Sequence, residues 1–257
     1  MGVVNVTPDS FSDGGRYLDP RAAVEHGKQL IADGAAILDV GGESTRPGAD
    51  PVSAEEELRR VEPVVAGLAG SGAEVSIDTS KASVAAAALD AGAAIVNDVT
   101  ALRGDPEMAA VCAEREPVVV LMHMLGTPRT MQDQPRYDDV VDEVKAFLAE
   151  RLEAALAAGI AEQRVWLDPG IGFGKTAAHN FELLQRLGEL RELGRPLVVG
   201  TSRKSFIGRA DGSPPDERIG GTIASSVLAA AEGADVLRVH DVAEVRQALA
   251  VADAVLG

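Results

Sequence analysis

Eight short apolar runs, most of them rich in β-branched residues, alternate with long Ala-, Leu-, Glu- and Arg-rich stretches along the whole chain. That alternation limits the fold more than any other feature. The runs lie at 3–6, 36–40, 74–77, 94–96, 118–122, 165–167, 197–199 and 236–239. Continuous rather than alternating apolar residues read as strands covered on both faces, which is the habit of parallel sheets with helical crossovers. Between them the spacing predicts helices over 20–33, 54–70, 81–91, 106–116, 138–158, 178–193, 216–232 and 241–255. In 138–158, Val141, Val144, Leu148, Leu152 and Ala155 recur at three or four residues, the helical period. One helix-to-strand joint appears three times, over 33–40, 91–98 and 232–239, each with a Gly closing the helix and a strand starting at once. Eight βα units in 257 residues predict an α/β fold with a single domain over 1–257, a (β/α)8 TIM barrel. An open doubly wound sheet is the alternative, and eight regular units favour closure.

Charge narrows the partners. Lys and Arg number 24 against 40 Asp and Glu, a net charge of −16, which argues against a nucleic acid or an anionic membrane. A local cluster of cations still suits a small anionic ligand. The single Cys112 excludes an intramolecular disulfide and fits a reducing compartment. No run approaches 18 uninterrupted apolar residues, and Met1 is followed by no basic leader. The expectation is a cytoplasmic protein acting on small molecules.

In a barrel of this kind chemistry gathers at the C-terminal ends of the strands. Those positions are Asn5, Asp39, Asp78, Asn97, His123, Asp168, Ser202 to Lys204, Arg238 and His240. Turn formation accounts for a single Asn or Asp there, but not for a donor or acceptor at nearly every strand end. Nor does it account for Lys204, Arg238 and His240 after strands 7 and 8, where phosphate groups commonly bind in this architecture. Arg offers phosphate a planar fork and Lys a point charge.

The loops 5–15 and 41–48 are long and polar, with Phe11 the lone large apolar residue of the first and Arg46 the cation of the second. Asp168-Pro169-Gly170-Ile171-Gly172-Phe173-Gly174-Lys175-Thr176 nearly matches a phosphate-binding Walker loop, but Pro169 occupies the first required Gly. It fails the dinucleotide fingerprint as well, because Lys175 occupies the third. Its glycines suit a sharp turn around a ligand, with Phe173 presented to something flat. Cys112, His26, His179 and Trp166 read as packing or surface residues. No HExxH, paired CxxC or His/Cys cluster is present, which speaks against a transition-metal centre built by protein alone.

Taken together, the segments 5–15, 41–48, 76–81, 97–98, 168–175, 202–205 and 238–241 resemble the dihydropteroate synthase family of pterin-binding enzymes, in order and from end to end of the chain. The likeness departs at the start, where that family usually has a short extra segment before the first strand. The expectation is either a barrel floor less covered here or a sequence that starts inside a longer chain.

The resemblance implies condensation of 6-hydroxymethyl-7,8-dihydropterin diphosphate with 4-aminobenzoate, giving 7,8-dihydropteroate and pyrophosphate in folate biosynthesis, with sulfonamides as inhibitors. It assigns Asp78, Asn97, Asp168 and Lys204 to the pterin, and Asn5, Thr45, Arg46, Arg238 and His240 to the diphosphate. Asn5 would also hold Mg²⁺, the implied cofactor. Phe11, Pro47, Phe173, Ser202 and Lys204 would form the aminobenzoate site, and Asp78, Asp168, Lys204 and Arg238 carry the catalytic assignment. It also implies a homodimer, for which the Ala/Leu-rich stretch 224–231 offers a surface.

Residue chemistry agrees with that assignment. A pterin edge presents adjacent N–H donors that a buried Asp accepts, and a departing diphosphate needs cations, here Arg46, Arg238, Mg²⁺ and a protonated His240. Three other readings compete. A pterin-dependent methyltransferase would share the pterin carboxylates but has no need of Arg46, Arg238 and His240 for a diphosphate. A non-catalytic homologue should have lost a site residue, and a phosphate-binding isomerase would lack the two long early loops.

Overall fold

The computed structural model describes residues 1–7, 19–46 and 48–256. Among them, eight strands and nine α-helices alternate: β1 (Gly2–Asn5), α1 (Pro20–Ala32), β2 (Ile37–Gly41), α2 (Ala54–Leu68), β3 (Glu74–Asp78), α3 (Ala82–Asp90), β4 (Ile95–Asp98), α4 (Met108–Arg115) and β5 (Val118–Met122). There follow α5 (Val140–Ala157), β6 (Val165–Asp168), α6 (Ala177–Gln185), β7 (Val198–Val199), α7 (Ser205–Asp211), α8 (Ile219–Ala231), β8 (Val236–Leu237) and α9 (Val242–Leu256).

Strands β1 to β6 pair in parallel and in chain order, and β7 pairs with β8. Two backbone seams close the circle. Leu167 N–H donates to Pro196 at 2.9 Å, joining β6 to the β7 side. Val3 N–H donates to Val239 and Val239 N–H to Met1, at 3.1 and 2.9 Å, joining β8 to β1. The eight units form the closed (β/α)8 barrel expected from the alternation. The last two strands are only two residues long, and the seams carry the pairing beyond them.

Because side chains alternate across a strand, the same runs feed two different interiors. Leu38, Val40, Val75, Ile77, Val119, Leu121, Val165 and Leu167 belong to the large cluster that includes the buried helix faces. Ile37, Ile95, Val120 and Val198 form a separate cluster with Trp166 and Val236, the apolar plug inside the barrel. Above that plug the inward positions become polar: Asp39, Ser76, Asp78, Asn97 and Asp168, all buried. The barrel interior is apolar below and hydrogen-bonding above.

Local signals set the helix ends. Asp139 accepts from Val141 and Asp142 N–H to start α5, Ser53 accepts from Glu56 N–H to start α2, and Pro20 sits in the first turn of α1. Thr176 and His179 make a reciprocal capping pair at α6, which gives His179 a structural role. The helix expected over 178–193 is interrupted. It ends at Gln185, and Leu187–Leu193 continues as a 3-10 turn closed by Gly194 in the left-handed conformation. Gly188, a poor helix former, lies in that second piece. The seven-residue α7 was not expected, since it is too short for a period to show and carries Gly208 at its centre.

Candidate active site

The C-terminal ends of the strands surround a cavity of about 420 Å³ lined by Asn5, Thr45, Arg46, Asp78, Phe173, Ser202, Lys204, Arg238 and His240, among others. Nine of the thirteen residues assigned to the site thus share one cavity wall. Asn97 and Asp168 lie just below it, at 5 and 6% exposure. Parallel register accounts for part of this gathering: Gly41 is level with Asp78, Asp78 with Asn97, and Met122 with Asp168. Phe11 and Pro47, assigned to the aminobenzoate site, lie outside the described residues.

The floor is built around Arg238. Its Nε donates to Asp39 Oδ2 at 2.6 Å and its Nη2 to Asp78 Oδ2 at 3.0 Å. Asp39 also accepts from Ser76 Oγ at 2.6 Å and from Asn97 Nδ2 at 3.1 Å. Two buried carboxylates thus share one guanidinium. Burial and the charge of Asp39 raise the pKa of Asp78, and Arg238 pulls it back. In the sequence Asp39 is one strand end among several; in the structure it is the hub that fixes both Asn97 and Arg238. A lone carboxylate inside the apolar run Ile37-Leu38-Asp39-Val40 was the available signal.

Asp168 is tied to its own loop, accepting Gly170 N–H at 2.7 Å. Burial raises its pKa, while Lys204, Arg238 and Lys175 lower it. Lys204 donates to the Ile171 carbonyl and stands 4.7 Å above the Phe173 ring. Burial pushes its ammonium down to about 8. His240 Nδ1 lies 3.0 Å from Ser202 Oγ. Burial and the neighbouring cations Arg238, Arg203, Arg46 and Lys204 push its pKa down to about 3. The protonated His240 expected from the sequence is therefore corrected: before an anion arrives, this imidazole is neutral. Arg203, the middle residue of Ser202-Arg203-Lys204, bonds to both carboxylate oxygens of Asp241.

The second loop is anchored from below. Lys81 bridges Glu43, on that loop, to the fully buried Glu57 of α2. This fixes the chain just before Thr45 and Arg46. Among the described residues no cluster of three His, Cys, Asp or Glu could hold a metal by itself. Asn5 instead offers one neutral hard oxygen at the cavity wall. That donor set suits Mg²⁺, which keeps several waters and takes phosphate oxygens alongside few protein ligands.

Acidic floor, basic rim and an aromatic edge together describe a site for a flat ring with N–H donors that bears an anionic group. Residues 1–240 match the family described as pterin binding enzyme. The chain is 49% identical over 257 residues to the dihydropteroate synthase of Escherichia coli (strain K12), covering 100% of this chain and 91% of that protein. A solved Yersinia pestis dihydropteroate synthase with a sulfonamide drug complex superposes with a TM-score of 0.97 at 46% identity, covering 100% of this chain and 93% of that one. The Xanthomonas albilineans dihydropteroate synthase in complex with 7,8-dihydropteroate superposes at 0.89 with 47% identity, and the coverages are 100% and 93%.

Proposed function

This chain belongs to the dihydropteroate synthase family of pterin-binding enzymes, transferases of folate biosynthesis, and from that premise we propose how its barrel mouth divides the work. The reaction joins 6-hydroxymethyl-7,8-dihydropterin diphosphate to 4-aminobenzoate. Asp78, Asn97, Asp168 and Lys204 receive the pterin, the carboxylates accepting its N–H groups. Asn5, Thr45, Arg46, Arg238 and His240 receive the diphosphate. Phe173, Ser202 and Lys204, with Phe11 and Pro47 from the two loops, receive the aminobenzoate.

The supporting observation is the Arg238 bridge, which puts the cation for the anionic group directly against Asp78, an acid for the ring, and against Asp39, which also holds Asn97. The carbon–oxygen bond to the diphosphate breaks first, and the electron pair leaves with it. Arg46 and Arg238 offset the developing charge, and His240, neutral beforehand, gains basicity beside the anion and donates to it. Mg²⁺, held through Asn5, supplies further charge neutralisation when bound. The electron-rich pterin ring stabilises the methylene cation left behind. The lone pair of the arylamine then forms the carbon–nitrogen bond, and its proton passes to solvent. An arylamine is unprotonated at neutral pH, so no general base is required.

Pyrophosphate release tests this reading, with pterin diphosphate, aminobenzoate and Mg²⁺ omitted in turn. Each omission is expected to abolish sustained release; release without aminobenzoate beyond one equivalent per site would identify a hydrolase instead.

The pH profile is a sharper check. The ammonium of Lys204 donates to a pterin acceptor more strongly than the free amine does, and burial has brought its pKa to about 8. The free-enzyme profile, kcat/KM for pterin diphosphate, should therefore fall above that pH. A profile flat to pH 10 would remove the ammonium of Lys204 from pterin capture.

We further propose that residues 1–257 act as one pterin-binding domain in the cytoplasm, with no nucleic-acid or membrane partner. Among the described residues no helix is long and apolar enough to cross a membrane, and Cys112 is buried. A homodimer through α8 and α9 is supported by Leu228, Val251 and Val255, which are 60, 61 and 78% exposed. Light scattering is expected to give twice the chain mass, and Leu228→Glu to halve it; a monomeric wild type refutes the dimer.

A further inference from the structure

The run from Asp168 to Thr176 falls short of a phosphate loop at Pro169, and its lysine, Lys175, turns inward. It is 3% exposed. Its Nζ lies 2.8 Å from His123 Nδ1 and donates to the carbonyls of Gly170 and Phe173, both at 3.0 Å. His123 is itself fixed at the end of β5, with its ring edge-on to Phe147 at 4.8 Å between centroids. The intervening carbonyls are held as well. Ile171 accepts from Lys204, Gly172 from Gln132 Nε2 at 2.9 Å, and Gly174 from the Tyr137 hydroxyl at 2.8 Å. Every carbonyl from Gly170 to Gly174 therefore meets a side-chain donor, where a surface loop ordinarily gives its carbonyls to water.

The backbone they hold is one that needs holding. Gly170, Gly172 and Gly174 all have positive φ, at +66, +85 and +63°. A Cβ at Gly170 would lie 1.9 Å from the His123 carbonyl oxygen, so the loop packs closer than any side chain permits. Phe173 sits inside this stretch. Its carbonyl is gripped by Lys175, while its ring packs against Met131 and lies beneath Lys204. A change in the φ and ψ of Phe173 would swing the ring out of the cavity wall.

We propose that Lys175, assisted by Tyr137, is a positioning residue for the second substrate: by gripping this loop it fixes the Phe173 ring at the aminobenzoate site. This rests on the assignment of Phe173 to that site. Burial lowers the pKa of the Lys175 amine well below its ordinary value, and the grip survives either form. As an ammonium it donates to all three partners; as a free amine it donates to the two carbonyls and accepts from a His123 Nδ1–H.

The test is steady-state kinetics on Lys175→Met, Tyr137→Phe and Phe173→Ala, with thermal melts alongside. Lys175→Met removes the grip at near-constant length, and Tyr137→Phe removes one hydroxyl while keeping the ring against His179. The aminobenzoate KM should rise about tenfold or more in Lys175→Met and about threefold in Tyr137→Phe, with the pterin diphosphate KM within about twofold of wild type. Equal rises in both KM values would make these residues merely structural and overturn the proposal. So would an unshifted aminobenzoate KM in Tyr137→Phe, which decides alone should Lys175→Met not fold. An unshifted aminobenzoate KM in Phe173→Ala instead fails the site assignment, and the positioning role for that substrate falls with it.

Discussion

Arg238→Ala should lose both fold stability and turnover, and its stability deficit should grow with pH. In the wild type one guanidinium serves Asp39, at 2.6 Å, and Asp78, at 3.0 Å, both buried. Removing one partner of a buried ion pair leaves an uncompensated charge and costs about 3–5 kcal/mol. The sign of the pH effect follows from Asp78, whose pKa burial and Asp39 already raise in the presence of Arg238. A carboxyl whose folded pKa exceeds its unfolded value weighs nothing against the fold at low pH. It destabilises increasingly as pH climbs towards the folded value. Without Arg238 the pKa of Asp78 rises further, so the gap between variant and wild type in urea unfolding should be wider at pH 8 than at pH 5.5. Turnover should fall about 10²–10³-fold, the usual cost of one preorganised charge-stabilising donor. An equal gap at the two pH values would show that Arg238 is not the counter-ion of the floor. Binding of free pterin should suffer along with binding of the diphosphate, because the same arginine orders the acids beneath the ring.

That double duty was hidden in the sequence for a physical reason. Asp39 and Arg238 stand 199 residues apart, and only closure of the barrel makes β8 a neighbour of the early strands. The alternation of runs and helices made eight parallel strands legible, since strands buried on both faces cannot afford polar alternation. Polar residues at their ends were legible for the converse reason: they interrupt apolar runs at the depth where the barrel opens. Pair distances were not, because they depend on register and on which way each side chain leans. Lys175 is the clearest instance. Nothing in its surroundings of Gly and Thr points to the three acceptors, contributed by His123, Gly170 and Phe173, that hold it inside. The break after Gln185 and the short α7 escaped because a seven-residue helix or a 3-10 turn completes too few turns for a period to appear.

Asp168→Asn should separate ligand binding from stability in the opposite way to Arg238→Ala. Asp168 Oδ1 accepts Gly170 N–H at 2.7 Å, which leaves its second oxygen for the N–H groups of a pterin. An amide has one acceptor to offer in place of two. If that oxygen stays on Gly170, the NH₂ group faces the donors of the incoming ring. If the amide turns over, the ring is received, but Gly170 N–H then points at an NH₂ and the loop loses one of its ties. Either way a buried polar contact is mispaired, at about 1–3 kcal/mol, or roughly 5- to 150-fold in pterin affinity. The fold bears less of this. Burial raises the pKa of Asp168, so its ionised form is itself a burden that grows with pH, and a neutral amide removes that burden. Calorimetry with free pterin should therefore show the weakened binding while the melting temperature at pH 8 stays level or rises. Unchanged affinity would take Asp168 out of contact with the ring, and a fall in melting temperature as large as that of Arg238→Ala would make it a structural acid.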